Sequence, residues 1–408
     1  MEGVTIEDRH KREKHFFATT TPWTDLKRSR VGINALRTFL GTLLYNHING
    51  EFPGVVKDIE KLSLDTQKEL ELLGPSRQTS ADQRRFLTRI SNAYQKDVML
   101  ALNGNYDAGL DADSPLKLRM QVRKMNDRFA STMAQKGHTR IFINVDGTID
   151  GDYVRSGGDN ENIIDWIRNT YRDERGTELP GLVNPTVIEN LFRQQSSRWE
   201  SISVANVKGV IAIVQNFNKV VMNRLVSDEE MRTKLMLILA CSESELLART
   251  LEQMAEIIHD ERGGILQTVN HYYADTLSAI REERVLARLK ARGFHDGSAF
   301  NMDVVMRSVH LSNEDQTVND IHDILKAYYK VAMKRYTDNI VLQIVERRIL
   351  GTGGPVKAFS PDMVGGLDDE ELLDIAGENF ATSSARNDLL AKYERFQKAL
   401  EIAKQVRP

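Results

Sequence analysis

Cysteine is almost absent: Cys241 is the only one, so no internal disulfide can staple the chain. Its surroundings, LMLILACSESELL, place the thiol at a buried helical position in a reducing, cytoplasmic setting. Proline is scarce and unevenly spread. The nine prolines stand at positions 22, 53, 75, 115, 180, 185, 355, 361 and 408, leaving Thr186 to Gly354 free of them. Because proline breaks helix interiors, this long stretch permits helices of unusual length. No apolar run approaches the 18 or so uncharged residues that a membrane span needs, and no apolar run follows the charges of MEGVTIEDRHKREKHF, so neither a span nor a signal peptide is expected. Net charge is only -3, without a uniformly basic domain, which argues against nucleic acid as a partner. Strand-like alternation is nearly missing as well.

The chemistry-bearing motifs are also missing. A Walker A loop, GxxxxGK[ST], would cradle phosphates with backbone amides and a lysine, and no such segment occurs. Gly351 to Pro355, GTGGP, lacks the lysine and reads as a flexible exit from a helix. There is no GxGxxG. His259, His271, His310 and His322 are too scattered for a zinc site. DGTIDGD, at 146 to 152, lacks the glutamate twelve positions on that an EF-hand loop needs. Arg281, Glu282, Glu283 and Arg284 read as surface ion pairs along a helix. The residues therefore nominate no catalytic group, no metal ligands and no cofactor-binding set, and the chain is expected not to be an enzyme.

What the sequence has is helix. The 408 residues exceed one ordinary compact domain, and 28% are charged against 41% hydrophobic, the balance of long solvated helices. From Ser312 to Leu350 the apolar residues Ile321, Ile324, Leu325, Tyr328, Ala332, Tyr336, Ile340, Ile344 and Val345 recur every three or four positions. That spacing predicts an amphipathic rod with one buried face. Further helices are predicted over Val31–Ile48 and Gly54–Leu73, separated by Gly50 and Pro53, then over Ala81–Asn103, Leu116–Met133 and Ile163–Tyr171. A helix from Thr186 runs to Leu225. Ser227 and Glu230 form a capping box for the next, where Leu247, Leu251, Met254 and Ile258 approach heptad spacing. Gly137 to Asn160 is a loop or small hairpin, and Gly293 to Leu311 a loop. Asp368 and Glu371 cap a segment up to Phe380, and a last helix carries Leu389, Tyr393, Phe396 and Leu400. The sum is all-α, an antiparallel bundle of long helices.

One stretch carries a specific resemblance. VNDIHDILKAYYKVAMKRYTDNIVLQIVERRIL, then GTGGP, then LDDEELLDIAGENFATSSARNDLLAKYERFQKALEI, resembles the GTPase effector domain of the dynamin superfamily, on its Mx-like and fungal dynamin-like branch. Upstream, EKHFF, PW and GINALRTFLGTLLYNHI, then LGPSR, RGTELPG and NHYYADTLSAIREER are similar to the middle domain, or stalk. The resemblance implies an elongated antiparallel four-helix stalk with a partial signalling-element bundle at one end. It implies that residues 1–30 are the end of a GTPase domain, 31–50 a signalling helix, 51–311 the stalk and 312–408 the effector domain. Within the last, 316–350 would be a stalk helix, 351–367 a linker and 368–405 the C-terminal signalling helices.

By the same resemblance, Arg175, Gly176, Glu178 and Leu179 lie in an assembly loop. Leu36, Leu40 and Leu43 would pack in the signalling bundle with Leu389, Tyr393, Phe396 and Leu400. Residues 292–311 occupy the stalk-tip position, a peripheral membrane contact in some members. Its charge balance is weak, since Lys290, Arg292 and Arg307 are set against Asp296 and Asp303. The family's GTPase head and its nucleotide-binding segments are not found. The resemblance therefore implies a self-assembling module that couples to a GTPase head in membrane remodelling and hydrolyses nothing itself. Its partners would be itself or full-length dynamin-like proteins, with GTP a cofactor only of the latter. It would sit in the cytoplasm, on membranes, or on microtubules or organelles. Alternatively the chain is a piece of a longer mechanochemical GTPase acting in fission or organelle dynamics.

Overall fold

A computed structural model describes residues 5–144, 148–151, 162–176, 179, 181–291 and 313–406. Glu178, part of DGTIDGD and the stalk-tip stretch 292–311 lie outside them. The described residues form helices joined by turns, and their only β pairing is an isolated antiparallel bridge between Ile143 and Ile149. That bridge lies within Gly137–Asn160, the stretch expected to be a loop or small hairpin. The fold is all-α, and the chain divides into two compact units, Met1–Asp82 with Gly377–Pro408, and Gln83–Ala376.

The first unit contains α1 (Ile6–Thr19), α2 (Ile33–Leu72) and the last helix, α13 (Phe380–Val406). Two helices were expected where α2 stands, with a break at Gly50 and Pro53. The structure instead carries one helix of 40 residues through both. Proline removes one rung from the backbone ladder, and the buried seam of α2 begins beside it, at Phe52. From there Phe52, Val56, Ile59, Ser63, Thr66, Leu70 and Leu73 are the less exposed positions, at alternating spacings of four and three. On α13 the matching set is Thr382, Arg386, Leu389, Tyr393, Phe396, Leu400 and Ala403. Small Ser63 and Thr66 are the most deeply buried on α2, and the bulkier Tyr393 and Phe396 lie across from them. Gln397 Nε2 donates to Ser63 Oγ at 2.9 Å, which fixes the antiparallel register.

Arg386 closes the other end of this pair. Its guanidinium donates to the carbonyls of Gly74 (2.9 Å) and Leu73 (3.1 Å), which follow the end of α2. Helix C-termini leave carbonyls without partners, and a cation there is favoured by the helix dipole. Glu378 pairs with Arg386 at 2.8 Å and also accepts the Arg77 amide at 3.1 Å. Gly74, at φ +72°, makes the left-handed turn that ends α2.

The second unit is organised around α10 (Asn313–Asn339) and its continuation, a π-helix over Ile340–Ile349. Packed against them are α4 (Leu118–Lys136), α5 (Ile163–Glu174), α6 (Pro185–Gln195), α7 (Trp199–Leu225), α8 (Glu229–Arg262) and α9 (His271–Ala291). Helix α3 (Ser80–Leu102) leads in, and a strap with the short helices α11 (Pro361–Gly366) and α12 (Asp369–Ala376) leads out. Helices α8 and α9 run antiparallel to the rod: Gln253 meets Arg348, Glu261 meets Arg335, and Arg284 meets Asp323. At the centre, Trp199 donates its indole N–H to the Tyr329 hydroxyl (3.1 Å) and stacks on Tyr336, whose hydroxyl meets Ser203 Oγ at 2.8 Å. Phe142 and Phe192 complete this aromatic core edge-on or tilted. Each buried ring contributes about 1.5–3 kcal/mol, and each polar tip keeps a partner.

Three further expectations are corrected. The helix predicted from Thr186 to Leu225 is two: the Ser197 amide bonds the Gln194 carbonyl (3.2 Å) and the Trp199 amide that of Ser196 (3.1 Å), i→i−3 contacts that tighten the chain between α6 and α7. The cap of α8 is Asp228, not Ser227: its carboxylate accepts the Met231 amide at 3.2 Å. Cys241 is exposed. Met231, Leu235 and Leu239 form the buried stripe of α8, whereas Cys241 follows exposed Leu237 by one turn on the opposite side. The capping box of Asp368 and Glu371 is present and reciprocal, at 2.8 and 2.9 Å.

Candidate assembly site

The stretch RGTELPG leaves the end of α5. Asn162 starts that helix by accepting the Ile164 amide, and Ile163, Trp166, Ile167 and Tyr171 bury one face. The other face is tied to α10: Arg168 reaches Asp315 (3.3 Å) and Arg172 reaches Glu314 (2.7 Å). Both acids lie in the first turn of α10, where negative charge is favoured. Arg140 adds a guanidinium 4.1 Å above the Trp166 ring. So α5 is held on both sides, and it delivers Arg175 to the surface with its guanidinium 5.8 Å from the Tyr171 ring centroid. Gly176 is exposed, and Leu179 and Leu182 are 71% and 56% exposed. The Leu182 amide donates to the Leu179 carbonyl across a turn in which Gly181 has φ +96°. Asn184 and Pro185 then open α6. Among the described residues, the stretch between the end of α5 and the capped start of α6 carries one exposed cation, Arg175, and two exposed leucines, Leu179 and Leu182.

The signalling residues fall into two places. Leu389, Tyr393, Phe396 and Leu400 are half-buried along α13, against the second half of α2. Leu36, Leu40 and Leu43 lie in the first half of α2 and are 50–54% exposed. With Gln397 level with Ser63, the end of α13 at Val406 is level with about residue 54 at equal helical rise. The two sets are therefore not brought against one another.

Reading the sequence missed a buried polar seam. Arg284, expected on the surface, is a cross-helix partner: its Nε donates to Asp323 Oδ2 (2.8 Å) and its Nη1 to Asn319 Oδ1 (2.7 Å). His322 Nδ1 lies 3.1 Å from Asp323 Oδ1. Burial pushes the His322 imidazole below its ordinary value, more than Asp323 raises it. Burial would raise the Asp323 carboxyl, but the bonds from His322 and Arg284 outweigh this and hold it below the ordinary range. Lys326 reaches Asp150 at 2.8 Å and the Ile143 carbonyl at 3.1 Å, pinning the hairpin to α10. Arg335 grips both carboxylate oxygens of Glu261 (2.7 and 2.6 Å). Burial drives the Tyr336 hydroxyl up to about 12, and Tyr329 higher still. The available signal was Asp323, a carboxylate set in the apolar stripe beside Ile321 and Ile324. These groups hold helices in register. Among the described residues no three His, Cys, Asp or Glu side chains gather as a metal site, and no sheet of a nucleotide-binding fold is present.

Residues 1–282 match the dynamin central region. The chain belongs to the dynamin central-region family. This dynamin-family chain is 23% identical over 410 residues to the interferon-induced GTP-binding protein Mx1 of Ictalurus punctatus, covering 98% of the chain and 59% of that protein. It is 24% identical over 355 residues to MxA of Danio rerio (84% and 49%) and 22% identical to Mx3 of Oncorhynchus mykiss (98% and 59%). It thus spans about three-fifths or less of these relatives' own length. The effector-like stretch after Val318 lies beyond the matched central region and within the Mx1 and Mx3 alignments. No described helix is long and apolar enough to cross a membrane.

Proposed function

We propose that this chain is a stalk and effector module that self-assembles and couples to a GTPase head in membrane remodelling. The observation that supports this best is the exposure of Leu179 and Leu182 beside Arg175, between the packed helices α5 and α6. Exposed apolar side chains beside packed helices are what a protein contact uses, because burying them removes apolar surface from water. In this reading Arg175, Gly176, Glu178 and Leu179 form the contact, α2 and α13 belong to a signalling bundle in coiled-coil fashion, and residues 292–311 meet a membrane peripherally. The partners are other copies or full-length dynamin-like proteins. Sedimentation across a range of concentration and salt tests it. Assemblies larger than a monomer, reduced by Leu179→Asp without loss of melting temperature, are expected; a monomer throughout overturns the proposal.

A second reading rests on the 59% coverage of Mx1. Under it the module is part of a longer mechanochemical GTPase, with GTP binding and hydrolysis in the remainder. An in-frame P-loop in the coding sequence upstream of Met1 would establish it, and a stop codon there would end it.

A further inference from the structure

The last ten residues of the rod, Ile340–Ile349, are not α-helical. They form a π-helix, continued by the Leu350 N–H donating to the Val345 carbonyl at 3.0 Å. Such helices close i→i+5 bonds and usually last a single turn. Their presence here follows from side-chain spacing. Ile340, Ile344, Val345 and Ile349 are buried, whereas Leu342, Arg347 and Arg348 are exposed. Ile340 and Ile349 are nine positions apart, which is two and a half turns of an α-helix at 3.6 residues per turn. An α-helix would set them on opposite sides and carry Arg347, seven positions on, to the side of Ile340. At about 4.4 residues per π turn, nine positions make two turns, and all four apolar side chains share one face.

The segment is held from both flanks: Arg119 of α4 pairs with Glu346 at 2.6 Å, and Arg348 donates to Gln253 of α8 at 2.6 Å. A glycine turn follows. Gly353 has φ +82°, and the Gly354 amide bonds the Gly351 carbonyl at 3.1 Å. The strap beyond buries Val356, Phe359 and Val364 and is tied to α3 by Gln95 and Arg84.

Removing one residue from the π run changes the arithmetic. Ile340 and Ile349 would then be eight apart, a little over two α turns, and the apolar set would lie on one side of an ordinary α-helix. We propose that Ile340–Ile349 is a locally opening segment of the rod. It carries one residue more than an α-helix with the same buried face would need, held as π turns that give way more readily than the α-helical part before them. Leu342, 61% exposed, marks where the surplus can be removed without emptying the core.

Hydrogen exchange on the full chain tests this, with two single-residue deletions. Amides of 344–350 are expected to exchange about tenfold faster than those of 325–336, although both stretches are buried. Deleting Leu342 should abolish that difference and leave the melting temperature at or above the parent's. Deleting Lys334 from the α-helical part should lower it sharply, since every later side chain turns by about 100°. Equal protection in the parent overturns the proposal. So does a Leu342 deletion that keeps the fast exchange, fails to fold, or melts as low as the Lys334 deletion.

Discussion

Arg284 Nε lies 2.8 Å from Asp323 Oδ2, and this contact joins α9 to α10 in the interior of the second unit. The Asp323 side chain is 1% exposed and that of Arg284 13%, so neither charge has water to fall back on. Removing one partner of a buried pair costs about 3–5 kcal/mol, because the other is left uncompensated. Arg284→Ala is expected to lower the urea midpoint accordingly. Arg281→Ala, on the same helix and exposed, should move it by less than about 0.5 kcal/mol.

His322 gives the same seam a pH dependence. Its folded value is lowered from the ordinary 6.5, so the unfolded chain takes up the proton first as pH falls. Stability is therefore complete above 6.5 and declines below it, with a slope of up to about 1.4 kcal/mol per pH unit until the folded imidazole also titrates. Asp323 acts lower, losing its contribution only as pH falls below the ordinary 3.8. Denaturant melts from pH 7.5 to 5 should show the first slope, and His322→Gln should flatten it.

The glycines after the π run are there for space. A Cβ on Gly354 would sit 2.2 Å from the Ile349 carbonyl oxygen, and one on Gly351 would be 2.1 Å from that of Arg347. Backbone cannot yield as a side chain does, so Gly354→Ala is expected to cost about 1–3 kcal/mol. Gly365 has nothing within 4 Å, and Gly365→Ala should be nearly neutral in the same thermal melt.

In the first unit, Phe396→Asp puts a charge into the seam beside Ser63 and Thr66. Phe396 is half-buried, so a loss of about 2 kcal/mol is expected, less than for a fully buried ring. The check is circular dichroism during heating: an unchanged first transition would mean that α13 is not docked on α2.

The rod was legible because Ile321, Leu325, Tyr328, Ala332 and Tyr336 repeat at helical spacing and no proline interrupts them. Its last ten residues were not. Ile340 and Ile344, four apart, fit either kind of turn, and only the position of Ile349 separates them. Pro53 misled in the other direction: local propensity predicts a break, but the seam starting at Phe52 carries the helix across it. Cys241 was placed inside by the apolar letters around it, although the fully buried positions there are Leu235 and Leu239, on the side away from it. In the candidate loop, resemblance pointed to Arg175 and Leu179. The bracing of α5 through Glu314 and Asp315 could not be read, because those partners are more than a hundred residues away.

The unbroken course of α2 also has a mechanical meaning. Forty residues make a strut about 60 Å long, so a tilt of about 10° at Leu72 carries Ile33 through roughly 10 Å. Pro53, where one rung of the ladder is missing, is the natural place for such a strut to flex. Stiffening it with Pro53→Ala would turn a jointed lever into a rigid one.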